Sequence, residues 1–176
     1  MKYKAVNIVL LSLLPIFGMA QESEQNEQFT FSSLSLSIGH TLVFEGVRNG
    51  ERTPVSLPSW ALDYNYYIHE KWILGIHTDI IIESFEFEIP GEGSAVFERN
   101  FPLAAVGVVG HRIGRWFMYV GGGAEFGDET FGVVRLGGEV AHSFDDRFEM
   151  LLGVAYDYKI DNYSSLAVTA GVAYKF

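Results

Sequence analysis

Cysteine is absent, which excludes a disulfide framework, a thiolate-ligated zinc site and a lipid-modified N-terminal cysteine. Cations are scarce: 12 Lys and Arg face 22 Asp and Glu, a formal charge of −10. So acidic a chain repels a phosphate backbone, and nucleic acid is excluded as a partner. Long apolar runs are also lacking. Outside residues 5–17 no stretch approaches the about 20 apolar residues that a helix needs to cross a bilayer. Any lasting membrane residence of this chain therefore has to come from strands, whose backbone groups pair with one another.

The N-terminal run sits in a frame of its own. Lys2 and Lys4 precede it, Gly18-Met19-Ala20 end it, and the polar Gln21-Glu22-Ser23 follow. Charged, apolar and small-residue regions in that order make residues 1–20 a secretory signal peptide, with cleavage expected after Ala20. Its removal takes two of the 12 basic residues and no acidic one, leaving 10 against 22 and a charge of −12. Residues 21–28 (QESEQNEQ) have nothing to bury and form a disordered lead.

From residue 29 the chain alternates with a period of two. Leu34, Leu36, Ile38 and Leu42 interleave with Ser33, Ser35, Ser37, Gly39 and Thr41, so a strand here has one apolar face and one of small hydroxyls. Trp60, Leu62, Tyr64, Tyr66 and Ile68 oppose Ala61, Asp63, Asn65 and Tyr67 in the second strand, and Trp72, Leu74, Ile76 and Ile80 oppose Gly75, His77 and Asp79 in the third. The fourth, residues 99–110, has small and apolar residues on both faces and does not fix its own register. Residues 116–126 carry Gly121, Gly122 and Gly123, which make room for large inward neighbours in a narrow barrel. In the sixth strand Arg135 and Glu139 oppose Leu136 and Val140; in the seventh Glu149 and Asp157 oppose Phe148, Leu152 and Tyr156. The last strand alternates without a break: Leu166, Val168, Ala170, Val172, Tyr174 and Phe176 against Ser165, Ala167, Thr169, Gly171, Ala173 and Lys175.

These eight segments are each near the about 9–11 residues of a tilted spanning strand. Their connections alternate in length. Residues 69–71, 111–115 and 145–147 are short, whereas 45–58 and 83–98 are long and share their side with the shorter 127–130 and 159–163. Short turns belong on the periplasmic side and long loops outside. Trp72, Trp116 and Phe148 each follow a cation at the start of an upward strand and, with Tyr174 and Phe176, form an aromatic girdle at headgroup level; Trp60 belongs to the opposite one. Phe85 and Phe87 alternate with Glu86 and Glu88 ahead of a turn at residues 90–93. This reads as a protruding acidic hairpin with exposed aromatics, able to take up a protein partner by strand addition.

Turn positions predict which residues face each other. With Phe144 opposite Phe148, Arg135 lies opposite Asp157; with Ile68 opposite Trp72, Asp63 lies opposite His77 and diagonal to Asp79. Lys175 falls near Glu149 at the periplasmic end. Charges enclosed in a barrel need partners. Asp63, His77, Asp79, Arg135, Glu139, Glu149, Asp157 and Lys175 are thus expected to form an interior polar network that plugs the lumen. No catalytic site, metal site or cofactor is expected, Asp63, His77 and Asp79 being read as interior plugs, because an eight-stranded lumen is filled by side chains and has no substrate path.

Signal peptide, eight alternating segments, alternating loop lengths and the terminal Tyr174-Lys175-Phe176 together resemble the small eight-stranded outer-membrane β-barrels of Gram-negative bacteria, the OmpA and OmpX type. The resemblance implies an all-β, antiparallel, up-and-down transmembrane barrel over residues 29–176. It also implies outer-membrane lipids and lipopolysaccharide as surroundings, and a C-terminal signal read by the barrel-assembly machinery. The role expected is structural or surface-interacting. Two alternatives stand beside it: an outer-membrane lipid-modifying enzyme, and a soluble secreted barrel of the lipocalin kind with the apolar rows inside. Period alone does not separate the last from a membrane barrel. Crowding favours the membrane, since the apolar rows are full of Tyr, Trp and Phe while the other face is rich in Gly, Ala and Ser.

Overall fold

The computed structural model describes residues 31–89 and 95–176. The signal peptide, the lead and the expected turn at 90–93 lie outside the described residues. In chain order the strands are β1 (Phe31–Val43), β2 (Gly46–Arg48), β3 (Glu51–Arg52), β4 (Val55–Tyr67), β5 (Trp72–Ile81), β6 (Phe85–Glu88), β7 (Val96–Arg99), β8 (Leu103–Ile113), β9 (Trp116–Phe126), β10 (Phe131–Ser143), β11 (Phe148–Lys159) and β12 (Ser164–Lys175). Eight of them close an antiparallel barrel in the order β1-β12-β11-β10-β9-β8-β5-β4, and the other four form a small sheet in the order β3-β2-β6-β7.

Closure is made by β1 and β12, which pair from Ser33↔Lys175 to Val43↔Ser165. Both described ends of the chain therefore sit at the barrel end that carries the short turns. The opposite end carries the long connections, two of which supply the small sheet.

The side chains sort by face. Leu36, Ile76, Leu136 and Leu152, from mid-strand on four different strands, point outward and are 53, 57, 59 and 65 % exposed. Asp63, His77, Arg135 and Asp157 point inward and are buried. A soluble barrel has the reverse distribution, so the lipocalin-like alternative is set aside. The lumen accommodates large inward side chains where a facing residue is glycine. Arg135 lies opposite Gly121, and the Tyr119 ring fills the space that a Cβ on Gly137 would need.

Three expectations about elements are corrected. Residues 45–58, expected as a loop, contain β2, β3 and the start of β4. Asn49 and Gly50, with φ of 56° and 78°, form the two-residue turn of a hairpin in which Arg48 pairs with Glu51; an Asn-Gly pair is suited to both left-handed positions. Pro58 is tolerated in β4 because its nitrogen faces the β5 side just beyond the last ladder pair, Ser59↔Ile81, where only its carbonyl is used, by the Ile82 amide at 3.1 Å. The fourth strand, expected at 99–110, is β8 at Leu103–Ile113, its register set by β5 and β9. Residues 96–99 belong instead to the small sheet as β7.

The third correction concerns the hairpin at 83–98. Phe85 and Phe87 are buried, at 6 and 2 % exposure, and pack with Val43, Leu57, Ile81, Phe131 and Tyr163 in one apolar cluster. The small sheet folds over the long-loop end of the barrel as a cap. β6 is paired on both sides, with β2 and β7, so it offers no free edge. Its alternation is real, but the aromatic face covers the barrel mouth and leaves Glu86 outward.

Candidate functional site

The polar inward side chains form three layers, beside an inward apolar cluster that includes Ile73, Val106, Val108, Phe117 and Val133. Nearest the short turns, Glu149 on β11 accepts hydrogen bonds from Arg112 at 3.0 Å and the Ser143 hydroxyl at 2.9 Å, and Lys175 on β12 pairs with it at 2.7 Å. Lys175 and Glu149 are thus brought together, with Arg112 as a third member that sequence reasoning missed. It was missed because residues 111–115 read as a turn, whereas β8 continues to Ile113 and turns Arg112 into the lumen. The residual turn is tight, and Gly114 takes a φ of 61° in it.

In the middle, Arg135 and Asp157 occupy facing positions on β10 and β11. The pair is bidentate: Nε donates to Oδ1 at 2.6 Å and Nη2 to Oδ2 at 2.7 Å. The same guanidinium reaches across the lumen and donates to Asp79 on β5. Asp63 and His77 also occupy facing positions, yet their side chains bond elsewhere. Asp63 accepts the Thr78 backbone N–H at 3.1 Å, and the His77 Nε2–H donates to Asn65 Oδ1 at 3.1 Å. Glu139 makes no ion pair among the described residues.

Toward the long-loop end lies a layer that the sequence reading did not assemble. Lys159 Nζ donates to the Ser165 hydroxyl at 2.5 Å and to Asp157 at 3.3 Å, and lies 3.6 Å from Glu125. Glu125 accepts from Arg99 Nε and Nη2 at 3.0 and 2.9 Å and from the Tyr163 hydroxyl at 2.6 Å. Arg99, only 1 % exposed, also donates to the Glu129 carbonyl at 2.6 Å and lies 4.1 Å over the Phe131 ring. Burial, and then the Glu125 carboxylate, push the Tyr163 phenol well above its ordinary pKa, so it stays a donor. An unbroken chain of opposite charges thus runs Arg99–Glu125–Lys159–Asp157–Arg135–Asp79, from the cap to mid-barrel. Arg99 escaped the sequence reading because it lies beside Glu98 in an acidic stretch and its partner is 26 residues away.

On the outer wall, Trp60, Trp72, Trp116 and Phe176 point outward and are 47, 52, 58 and 63 % exposed. Phe148 stacks on Phe144 and contacts Tyr174, which stacks in turn on Phe176. Trp72 begins β5, Trp116 begins β9 and Phe148 begins β11, so these rings share the short-turn end. Trp60, midway along β4, faces Ile80 next to the long-loop end of the β4–β5 ladder. At the cap, β7 is an edge strand whose Val96, Phe97 and Glu98 are exposed.

No family model matches the chain, and no curated protein matches its sequence. Solved structures do match its fold. The attachment invasion locus protein Ail of Yersinia pestis, in complex with the heparin analogue sucrose octasulfate, superposes with a TM-score of 0.53 at 13 % identity, over 84 % of this chain and 99 % of that one. Neisserial surface protein A gives a TM-score of 0.54 at 13 % identity, over 82 % of this chain and 97 % of that one. The fold is that of the small eight-stranded outer-membrane barrels.

Proposed function

We propose that this chain is an integral protein of the Gram-negative outer membrane, exported by a signal peptide at residues 1–20, with a plugged lumen and a structural or surface-interacting role. One observation carries the reading: every barrel strand turns a row of large apolar side chains outward, so the wall is apolar all round, and the ionic residues of those strands face inward. In water that distribution exposes an apolar surface far larger than soluble proteins tolerate; in a bilayer it is the stable one. The Trp and Phe side chains at the short-turn end are read as the periplasmic girdle, and Tyr174-Lys175-Phe176 as the segment handed to the barrel-assembly machinery.

The long-loop end then faces outside. Glu51, Glu83, Glu86, Glu98, Asp128 and Glu129 are exposed there, which favours a cationic protein, or divalent cations shared with lipopolysaccharide phosphates, over a polyanion such as the sulfated sugar bound to Ail. For a protein partner the edge of β7, unpaired among the described residues, replaces the hairpin face expected from sequence. A catalytic role is not supported: the Ser143 hydroxyl, beside His142, donates a hydrogen bond to Glu149 at 2.9 Å at the end away from the outer leaflet.

The reading is tested by expressing the full chain in a Gram-negative host. The protein is expected in the outer-membrane fraction and should run at different apparent sizes on a detergent gel before and after boiling. A soluble periplasmic product with a single band would refute it.

A further inference from the structure

Asp79, Glu125, Glu149 and Asp157 are each ion-paired to an Arg or Lys in the lumen. Asp63 and Glu139 are not, among the described residues. Arg135 is held by Asp79 and Asp157, and Arg112 by Glu149, and neither guanidinium comes within ion-pair distance of Asp63 or Glu139. Two enclosed carboxylates without a cation are costly. Both converge on His77: Asp63 on β4, His77 on β5 and Glu139 on β10 each place one ligand-type atom within 4.8 Å of the others. Donors around a tetrahedral zinc are roughly 3.5 Å apart, so the longest of these separations shortens when the ion binds. The hydrogen bond from His77 Nε2–H to Asn65 fixes the tautomer and leaves the ring one free lone pair, as the orienting bond of a ligating imidazole does.

A separate feature points to the same place. Ser35 on β1 lies directly across from Asp63; it is 3 % exposed, and its hydroxyl has no hydrogen-bond partner among the described residues. With Asn65, Arg112, Glu139 and Glu149 it lines an interior cavity of about 10 Å³, enough for roughly one water molecule. A buried hydroxyl is rarely left unpartnered; here it shares the cavity with Glu139 and stands at the register position facing Asp63.

We propose that Asp63, His77 and Glu139 bind one divalent transition-metal cation, best matched by zinc, that links the β4–β5 wall to β10 across the lumen. One imidazole and two carboxylates suit zinc better than the all-oxygen preference of calcium and magnesium or the thiolate preference of copper(I). The ion's charge offsets both carboxylates. The site is structural. Arg135 walls it on one side and the Arg112–Glu149 pair on the other, so the metal enters as the barrel closes.

The test is to refold the full chain from urea into detergent micelles with zinc chloride, remove loose metal by gel filtration, and measure zinc by plasma spectrometry. Wild type should keep about one zinc per chain and unfold at a higher temperature than protein refolded with EDTA. Glu139→Gln and Asp63→Asn, checked for folding by the unboiled gel shift, should keep under about a tenth of that zinc. Folded wild type that retains no zinc overturns the proposal, as does a folded Glu139→Gln that retains as much as wild type, which would place the ion on surface carboxylates or histidines. Should neither variant fold, His77→Gln gives the same comparison, and the wild-type zinc content decides by itself.

Discussion

Arg135 is the residue on which most of the interior depends. It spans from β10 to Asp157 beside it and to Asp79 on the opposite wall, and both carboxylates lose their partner if it is removed. Breaking a buried pair by deleting one side costs about 3–5 kcal/mol, because the remaining charge stays enclosed. Arg135→Ala should therefore lower unfolding stability in detergent by about that amount, while Asp157→Ala should cost less, since Arg135 keeps Asp79. Equal losses, or an unchanged urea midpoint for Arg135→Ala, would mean that the guanidinium is solvated. The facing of Arg135 and Asp157 follows from a short turn and a period of two, both of which are local and readable in the sequence. The link to Asp79 crosses the lumen over 56 positions of chain, and no local pattern encodes it. Glu125, Lys159 and Tyr163 were obscured in the same way: each sits on or beside a strand whose face was legible, but their meeting depends on where the cap folds.

The cap illustrates what alternation does and does not specify. FEFE at residues 85–88 has a strand's period, which β6 obeys; the pattern says that one face is apolar but is silent about what covers it. The apolar face is closed against Phe131 and Tyr163, and the Arg99–Glu125 pair fastens β7 beside it. Phe87, with ring centroids 4.8 Å from Tyr163 and 5.8 Å from Phe97, is the central contact. Phe87→Ala removes about 3–5 kcal/mol of packing from the cap, yet touches none of the barrel ladders. Amides of β6 and β7 should then exchange with deuterium at least about a hundredfold faster, with the barrel strands unaffected. Loss of protection throughout the barrel would show that cap and barrel open as one unit. Residues 99–110 were illegible as an element for a different reason: LAAVGVVG suits either face, and only the neighbouring β5 and β9 select Ala104, Val106 and Val108 as inward.

Taken whole, the molecule is a barrel turned inside out, with buried ion pairs beside its interior apolar clusters and an apolar wall where a soluble protein meets water. Closing β1 against β12 removes the free edges that would otherwise be unsatisfied in lipid. The three tryptophans of the chain all lie on that wall, and this makes the central claim directly measurable. The full chain is folded into vesicles of dibrominated phosphatidylcholine, and its tryptophan fluorescence is compared with that in unbrominated vesicles. Because Trp60, Trp72 and Trp116 point outward, strong quenching is predicted, with bromines near the headgroups more effective on Trp72 and Trp116 than bromines at the chain ends. Fluorescence unchanged by bromine in properly folded protein would mean that this wall does not face lipid, and would contradict the account.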